Sequence, residues 1–238
     1  MAKVTREKFK TMHNVFDEFT NRTIYKLINQ GHFEGLESPI SIGKEANIFS
    51  AVTKEGNRVI VKIYRLEACD FNKMYDYIKH DPRFSEVKGK KRVIIFHWVQ
   101  HEYRNLLKAR KLGAKVPTAY TFLNNVIVME FIGNGSEPAP KLKDLEPKNK
   151  KKFFDKMVAD LRKMYLGGLV HADASAFNVL NHEDSPVFID FSQTTILDDP
   201  RALEYLKRDI FNLCNHFQKI GLKVDTDKTY EKVTKKVK

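Results

Sequence analysis

The sequence has few of the residues that build covalent frameworks or membrane spans. Its only two cysteines, Cys69 and Cys214, lie far apart without histidines at metal-ligand spacing, which predicts neither a disulfide framework nor a zinc site. The longest apolar runs, such as residues 93–96 and 126–129, are far shorter than the roughly 20 residues of a membrane helix. Residues 1–16 contain no signal-peptide core. These absences predict a reduced, soluble protein of the cytoplasm.

Acidic residues are also in the minority, with 30 Asp and Glu against 42 Lys and Arg and a net charge of +12. Such an excess favours a polyanionic partner, nucleic acid first, because binding releases counterions. The alternative is a highly charged, solvated surface without a partner, and composition alone does not separate the two. Residues 141–163 hold nine Lys or Arg against four Asp or Glu, and the tail from residue 228 holds five Lys against one Glu. We expect these two segments to contact phosphates.

Apolar residues make up 42% of the chain and are spread along it, which predicts a globular fold. Residues 5–30 carry apolar side chains at helical spacing, and this predicts one or two amphipathic helices. Residues 39–52 and 58–64 are rich in β-branched and aromatic side chains and predict a β-hairpin. Lys62 falls in the middle of its second strand, on the same face as Ile60 and Tyr64. A lysine in the middle of a strand is unusual and marks a candidate functional residue.

The remaining pattern predicts two parts joined near residue 133. Residues 97–112 predict a helix that places Trp98, Glu102 and Leu106 on one face. A polar, Pro-containing stretch after the predicted strand at residues 126–132 marks the boundary between the parts. Further helices are predicted over residues 150–166 and about 200–219, with short strands between them. The predicted organisation is a helical region over 1–38, a first lobe over 39–132 with a flexible insertion at 70–92, and a second lobe over 133–238.

The most informative pattern is H-x-D-x-x-x-x-N from His171 to Asn178, followed by an apolar strand that ends in Asp190 and Phe191. This pattern is typical of the catalytic loop and metal-binding motif of protein kinases. Phosphoryl transfer depends on in-line positioning and on neutralised charge. We therefore expect Asp173 to orient the attacking hydroxyl or water and accept its proton. Asn178 and Asp190 are expected to supply oxygen ligands to Mg²⁺.

Two upstream residues complete the pattern in the order that a kinase requires. Lys62 is expected to bind the α- and β-phosphates of ATP, and Glu102 to hold Lys62 in place. Each residue alone has a simple structural interpretation, for example a lysine that snorkels from a half-buried strand, but five concordant positions favour catalysis. Residues 41–49 stand where a phosphate-binding hairpin belongs, although they lack G-x-G-x-x-G. Its candidate nucleotide contacts are Ser41 and the backbone near Gly43 and Lys44.

The motifs together resemble one family, the RIO atypical protein kinases, over nearly the whole sequence. The matching segments are Ser-Ile-Gly-Lys-Glu-Ala-Asn at 41–47, Val-Lys-Ile-Tyr-Arg at 61–65, Glu-Tyr-Arg-Asn-Leu at 102–106, Val-Met-Glu-Phe-Ile-Gly at 128–133, Pro-Ala-Pro at 138–140, His-Ala-Asp at 171–173 and Ile-Asp-Phe-Ser-Gln at 189–193. Ala46-Asn47 and Ser192-Gln193 resemble the first subtype of the family.

This resemblance implies an α+β, two-lobed protein-kinase-like fold, with a β-rich N-lobe and a reduced helical C-lobe that lacks the activation segment and the peptide-binding helices. It implies that ATP with Mg²⁺ or Mn²⁺ binds between the lobes, with adenine held by backbone groups near Glu130 and Ile132. It further implies serine phosphorylation, including autophosphorylation, ATP hydrolysis with transient phosphorylation of Asp190, and a role in maturing the small ribosomal subunit and its RNA. Ser85 is the candidate autophosphorylation site, because it is the sole Ser or Thr between residues 71 and 117.

Several residues depart from the pattern of the family. Ile60 stands where kinases usually have Ala above adenine, and Ile42 replaces a common Thr of the phosphate loop. Ala174 and Ala176 replace the usual Leu and Glu beside the catalytic Asp. We expect these departures to affect nucleotide affinity and rate rather than the type of reaction.

Two other functions fit parts of the sequence. A small-molecule phosphotransferase of the aminoglycoside or choline type shares H-x-D-x-x-x-x-N, but such enzymes need a large helical lobe, and only residues 192–238 follow the metal-binding motif. The basic excess would also repel a cationic substrate. A non-enzymatic scaffold that binds ribosomal precursor RNA is the second alternative. A pseudokinase is expected to lose one of the five polar residues, and this sequence keeps all five.

Overall fold

A computed structural model describes residues 16–67, 69–78 and 91–235. Its N-terminal half is built on a five-stranded antiparallel sheet with the strand order β1-β2-β3-β5-β4. The strands are β1 (Gly35–Ile42), β2 (Ala46–Val52), β3 (Arg58–Tyr64), β4 (Ala119–Leu123) and β5 (Val126–Glu130). Because β3 is the central strand, it is flanked on both sides, and Lys62 lies opposite Ile48 of β2 and Ile127 of β5.

Successive side chains of β3 point to opposite faces of the sheet, and the two faces pack in different apolar clusters. Val59, Val61 and Ile63 pack in one apolar cluster with residues of helix α1 (Glu18–Asn29), whose N-terminus is capped by the Asp17 side chain. Ile60 and Tyr64 face a second cluster, which extends into the C-terminal half. Lys62 shares this second face, as the alternation predicts, and therefore points to the space between the two halves.

Helix α3 (Lys91–Lys111) crosses the second face of the sheet, after the short helix α2 (Phe71–Ile78). Trp98, Glu102 and Leu106 are all buried, in agreement with their predicted shared face. The helix begins six residues before the predicted start at 97. The sequence predicts a flexible insertion over residues 70–92, whereas residues 71–78 form a helix whose Tyr77 and Ile78 are buried. The middle of that insertion, with Ser85, lies outside the described residues.

The C-terminal half contains helices and two-stranded ribbons. Helix α4 has the predicted bounds, and Asn149 caps its N-terminus by accepting a hydrogen bond from Lys152 N. The ribbons pair β6 with β7, β8 with β11 and β9 with β10. The elements are β6 (Gly133–Asn134), β7 (Glu137–Pro138), α4 (Lys150–Leu166), β8 (Leu169–Val170), β9 (Val179–His182), β10 (Ser185–Phe188), β11 (Thr195–Ile196), α5 (Ala202–Lys219) and α6 (Thr226–Thr234).

The predicted first strand at residues 39–52 is in fact two strands with a tight turn at Gly43. Gly43 N donates to Ala46 O at 3.0 Å, and a Cβ added to Gly43 would lie 2.8 Å from the same oxygen. Only glycine fits this turn without a shift of the backbone. No helix among residues 16–67, 69–78 and 91–235 is both long and apolar enough to cross a membrane.

Candidate active site

A buried ion pair links the sheet to helix α3. Lys62 Nζ lies 2.7 Å from Glu102 Oε1 and 3.0 Å from Asp190 Oδ1. Lys62 is only 6% exposed and Glu102 only 1%. Burying such charges is costly unless each is paired and hydrogen-bonded. Burial alone would lower the pKa of Lys62, but the carboxylates of Asp190 and Glu102 raise it well above its ordinary value. Lys62 therefore remains a cation at the end of the space between the halves.

Tyr64, two residues along the same strand, completes the environment of Glu102. Its hydroxyl donates to Glu102 Oε2 at 2.7 Å, while Lys62 binds Oε1. Burial is the main reason that the pKa of Tyr64 is raised well above its ordinary value, so the hydroxyl keeps its proton and stays a donor. Both oxygens of the buried carboxylate are thus satisfied. The sequence indicated that Tyr64 shares the face of Lys62, but it gave no sign of this bond.

Asp190 lies past the end of β10 with a left-handed backbone, φ 62°. Its Oδ1 accepts two bonds, one from Lys62 and one from Ser192 Oγ at 2.7 Å. Burial would raise the pKa of Asp190, but Lys62 and the Ser192 hydroxyl lower it to about 2. Asp190 is therefore ionised at neutral pH. Since both bonds are made to Oδ1, its Oδ2 is the oxygen left to bind a cation.

The catalytic-loop motif brings Asp173 and Asn178 into contact. Asn178 Nδ2 donates to Asp173 Oδ2 at 2.7 Å and to the Asp173 carbonyl at 2.9 Å. The amide nitrogen is thus occupied, and its oxygen, Oδ1, is the group that can bind a metal. Both Asp173 and Asn178 are partly exposed. A carboxylate held in this way can accept a proton from an incoming hydroxyl.

His171, at the start of the catalytic loop, is neutral and holds the loop in place. Its Nε2 lies 3.1 Å from the Ile189 carbonyl, and its Nδ1 lies 3.3 Å from Asp173 N. Because a carbonyl only accepts and an amide only donates, Nε2 carries the proton and Nδ1 does not. Burial lowers the pKa of His171 to about 4. His171 therefore acts as a link between the loop and the strand before Asp190 rather than as an acid.

Asp209 of α5 binds the backbone of the catalytic loop and was not identified from the sequence. Its two carboxylate oxygens accept from Ala172 N at 2.8 Å and Ala174 N at 2.9 Å. Burial raises the pKa of Asp209 to about 7, although these two amides oppose the shift. The sequence feature that could have revealed Asp209 is its place, as an acid, on the apolar face of a predicted helix; its neighbours Leu206 and Ile210 are also buried. Ala174 is fully buried here, which explains why a small side chain occupies this position.

A cleft of about 380 Å³ lies between the halves and ends at Lys62, Asn178 and Asp190. Its apolar walls come from Ile40, Ile48, Ile60, Met129, Leu180 and Ile189. The predicted site residues that line it are Ser41, Lys62, Glu102, Glu130, Ile132, Asn178 and Asp190. Gly43, Lys44 and Asp173 are not among its lining residues, and Ile60 forms part of the wall as expected. An apolar slot with a polar end has the shape that a nucleotide requires.

The strand end at Glu130 and Ile132 leaves backbone groups for a planar ligand. The Glu130 carboxylate accepts from Thr118 N at 2.9 Å and Thr118 Oγ1 at 2.6 Å. The Ile132 carbonyl accepts from Ala139 N at 2.9 Å, and in the described residues the Ile132 N–H has no backbone acceptor. Ile132 N–H is thus an available donor at the edge of the cleft.

The oxygens of Asn178 and Asp190 fit Mg²⁺ in type and number. Mg²⁺ prefers oxygen ligands and keeps several waters, so one or two protein ligands are enough. The described part of the chain contains no group of three or more His, Cys, Asp or Glu residues that could hold a metal. Two protein oxygens leave the other positions around Mg²⁺ to waters and phosphate oxygens.

The lowered pKa of His171 predicts a specific pH dependence of stability. Between pH 6.5 and about 4 the unfolded chain binds a proton at this residue more readily than the folded chain does. The stability that neutral His171 provides is therefore complete above pH 6.5 and is lost as the pH falls through 4, by on the order of 3 kcal/mol. His171→Asn cannot titrate. Urea unfolding at pH 7, 6, 5 and 4 should show a shallower loss of stability in the variant, and equal slopes would contradict the assignment.

The sequence of the chain is similar to known kinases over most of its length. A family model described as the RIO domain matches residues 47–230. The chain is 38% identical over 228 residues to the RIO-type serine/threonine-protein kinase Rio1 of Haloferax volcanii, which covers 96% of this chain and 79% of that protein. For the protein of the same description in Methanocaldococcus jannaschii, the identity is 39% over 231 residues, with 97% and 79% covered.

Its fold is also similar to solved structures. The Rio2 kinase–ADP/Mg²⁺–phosphoaspartate complex from Chaetomium thermophilum matches with a TM-score of 0.70 at 20% identity, and covers 93% of this chain and 68% of that chain. A second structure of the Rio2 kinase from Chaetomium thermophilum gives a TM-score of 0.67. At this identity the likeness concerns the fold. It confirms the predicted kinase-like architecture with a β-sheet N-lobe and a helical C-lobe.

Proposed function

Because the chain belongs to the RIO-domain family, we propose that it is an ATP-dependent serine/threonine-protein kinase that also hydrolyses ATP. The observation that carries the proposal is the position of Lys62. Its ammonium group contacts Glu102 on one side and Asp190 on the other, at the polar end of an apolar cleft. This is the arrangement that phosphoryl transfer requires of its lysine.

We assign a role to each part of the site. Adenine would lie between Ile60 and Ile189, with the N–H of Ile132 donating to its edge. The phosphates would extend toward Lys62, whose charge offsets theirs. When bound by Asn178 and Asp190, Mg²⁺ supplies further neutralisation of the phosphate oxygens. Mn²⁺ is an alternative that the same oxygen ligands accept.

Asp173 completes the site on the side of the acceptor. A serine or threonine hydroxyl attacks the γ-phosphorus, Asp173 accepts its proton, and ADP leaves with the bridging oxygen. Asn178 holds the Asp173 carboxylate by a bond of 2.7 Å, so the base is oriented before the substrate arrives. Asp209 positions the loop through two backbone amides.

We assign a second acceptor, Asp190, for ATP hydrolysis. Its Oδ2 attacks the γ-phosphorus and ADP leaves; water then attacks the acyl phosphate, which releases phosphate and restores the carboxylate. The support is that Lys62 and Ser192 both bind Oδ1, so Oδ2 serves first as a metal ligand and, once it is released from the metal, as the nucleophile. The similar Rio2 structure from Chaetomium thermophilum is described as a phosphoaspartate complex.

The two alternative functions fit the structure less well. In the described part of the chain two helices, α5 and α6, follow Asp190, and the family model that matches residues 47–230 is the RIO domain, not a small-molecule phosphotransferase. A non-enzymatic scaffold has no need for a buried Lys–Glu pair, whose desolvation is costly. The physiological partner that we propose is the precursor of the small ribosomal subunit.

The test of the function compares two products from the same reaction. The purified chain is incubated with γ-labelled ATP and Mg²⁺ or Mn²⁺, with and without purified small-subunit precursor. Release of labelled phosphate and transfer of label to protein are both measured. We expect metal-dependent turnover that the precursor changes. No turnover with either metal, in a protein that is folded, would contradict the proposal.

A further inference from the structure

A second cavity, of about 950 Å³, lies beside residues 131–133, which link the two halves. We name it the rear groove. It shares Glu130 and Ile132 with the nucleotide cleft, but its other walls come from the end of α3, from helix α4 and from the β9–β10 hairpin. The residues that matter for its chemistry are Arg110, Lys115, Glu130, Phe131, Lys156, Asp160, Lys163 and His182. None of the steps proposed for ATP uses the side chains of the groove.

The rear groove has an excess of positive charge. Arg110, Lys115, Lys156 and Lys163 contribute four cations against the two carboxylates, Glu130 and Asp160. Both carboxylates are already occupied: Glu130 accepts from Thr118, and Asp160 accepts from Lys115 N and from Lys163 Nζ. They are thus less able to neutralise the remaining cations.

Two of the four cations have no carboxylate partner. Within residues 16–67, 69–78 and 91–235, neither the Lys115 nor the Lys156 ammonium forms an ion pair, and Lys156 Nζ donates to the Ser185 hydroxyl at 2.6 Å. In the same groove the buried His182 Nε2 has no hydrogen-bond partner among the described residues. The Lys115 and Lys156 ammonium groups are therefore available to an anion.

The positions of the two unpaired cations favour an extended anion. Lys115 lies in the segment between α3 and β4, and Lys156 lies on α4, so they line the groove from two different elements. Successive phosphates of a chain can contact each cation in turn. Phe131 adds an aromatic ring to the wall, and Val116 and Pro186 add apolar surface. Aromatic rings beside a basic groove are typical of sites for single-stranded nucleic acid, because bases stack on them.

We propose that the rear groove binds single-stranded RNA, with the unpaired Lys115 and Lys156 on the phosphodiester backbone and Phe131 as the surface on which a base stacks. This site goes beyond the proposed kinase activity. It also replaces part of the expectation for residues 141–163. Lys150 Nζ donates to the Ile220 carbonyl at 2.6 Å and pairs with Glu146, and Lys151 pairs with Asp155. Those two lysines are thus occupied outside the groove.

The test compares two double variants with the same change of charge. Lys115→Glu with Lys156→Glu reverses the groove, and Lys151→Glu with Lys152→Glu reverses two exposed residues of the same helix. Binding of a labelled single-stranded oligouridine is followed by fluorescence anisotropy at several salt concentrations. The Lys115→Gln, Lys156→Gln double variant removes the two charges but keeps polar side chains in the groove. It controls for a loss of binding that is caused by misfolding of the Glu variant. Inorganic phosphate and polyglutamate of matched length serve as competitors.

We expect the groove reversal to weaken binding about tenfold or more and to reduce the log–log salt slope by about 1.4, because two phosphate contacts are lost. The control reversal should cost less than about threefold, and the Gln variant should lie between. If both reversals reduce the affinity equally, general surface charge explains the binding, and the proposal is overturned. Equal competition by polyglutamate, or full displacement by inorganic phosphate at similar charge, would overturn RNA as the ligand. ATP hydrolysis, measured in the same samples, should not change in either reversal, so failure here is distinct from failure of the kinase proposal.

Discussion

Lys62→Ala should abolish most phosphoryl transfer, by roughly a hundredfold or more, because the cation that offsets the phosphate charge is removed. The same change should also destabilise the fold by about 3–5 kcal/mol, since Glu102 remains buried without its cation. The 6% exposure of Lys62 and the 1% exposure of Glu102 are the reasons for this expectation.

A double variant separates the two effects of this change. Lys62→Met with Glu102→Gln removes both charges and keeps similar volumes, so stability should largely return while activity does not. Urea unfolding and ATP turnover are measured for the wild type, for the single variant and for the double variant. Near-normal turnover in Lys62→Ala would contradict the role of Lys62. Recovery of turnover in the double variant would show that only stability had been lost.

Asp190→Ala should abolish any hydroxylamine-labile phosphate on the protein and weaken metal-dependent ATP binding. The physical reason is that a carboxylate forms an acyl phosphate, which hydroxylamine cleaves, whereas a phosphorylated serine or threonine resists it. Lys62 keeps its bond to Glu102 in this variant, so the ion pair of the N-lobe is retained.

The matched control is Asp198→Ala, an exposed acid in the segment that follows the motif. The protein is incubated with γ-labelled ATP and Mg²⁺, denatured, and divided between hydroxylamine and buffer. We expect labile label in the wild type and in the control but none in Asp190→Ala. Unchanged labile label in Asp190→Ala would refute the assignment of this residue.

The parts of the fold that could be predicted from sequence depend on local periodicity. Helix α4 has the predicted bounds because its apolar side chains recur every three or four residues between Asn149 and Gly167. Lys62 was placed in the middle of a strand, on the same face as Ile60 and Tyr64, because side chains alternate along β3. The motif from His171 to Asn178 was recognisable because its spacing is fixed within one loop. Its chemical roles stay predictions that the experiments above address.

The parts that were missed depend on contacts between distant residues. Tyr64 binds Glu102 across 38 positions, and Asp209 binds Ala172 across 37, so no local pattern reports either bond. Strand-forming composition did not show the break at Gly43, because the flanking segments share it; only the expected phosphate-binding hairpin at residues 41–49 indicated a turn. The sequence also did not show which lysines of residues 141–163 are free to contact phosphates. Only the folded helix shows which of its lysines face the rear groove and which are paired elsewhere.

Asp173→Asn provides the most direct measurement of the central claim, that this site transfers phosphate from ATP by means of an oriented carboxylate. The residue is partly exposed, and an amide of the same shape should leave the fold unchanged, which thermal unfolding checks. Transfer of label from ATP to protein alcohols is compared for the wild type and the variant under saturating ATP and Mg²⁺. We expect a loss of roughly a hundredfold to ten-thousandfold with the same unfolding temperature. Near-normal transfer by a folded Asp173→Asn protein would contradict the role of Asp173.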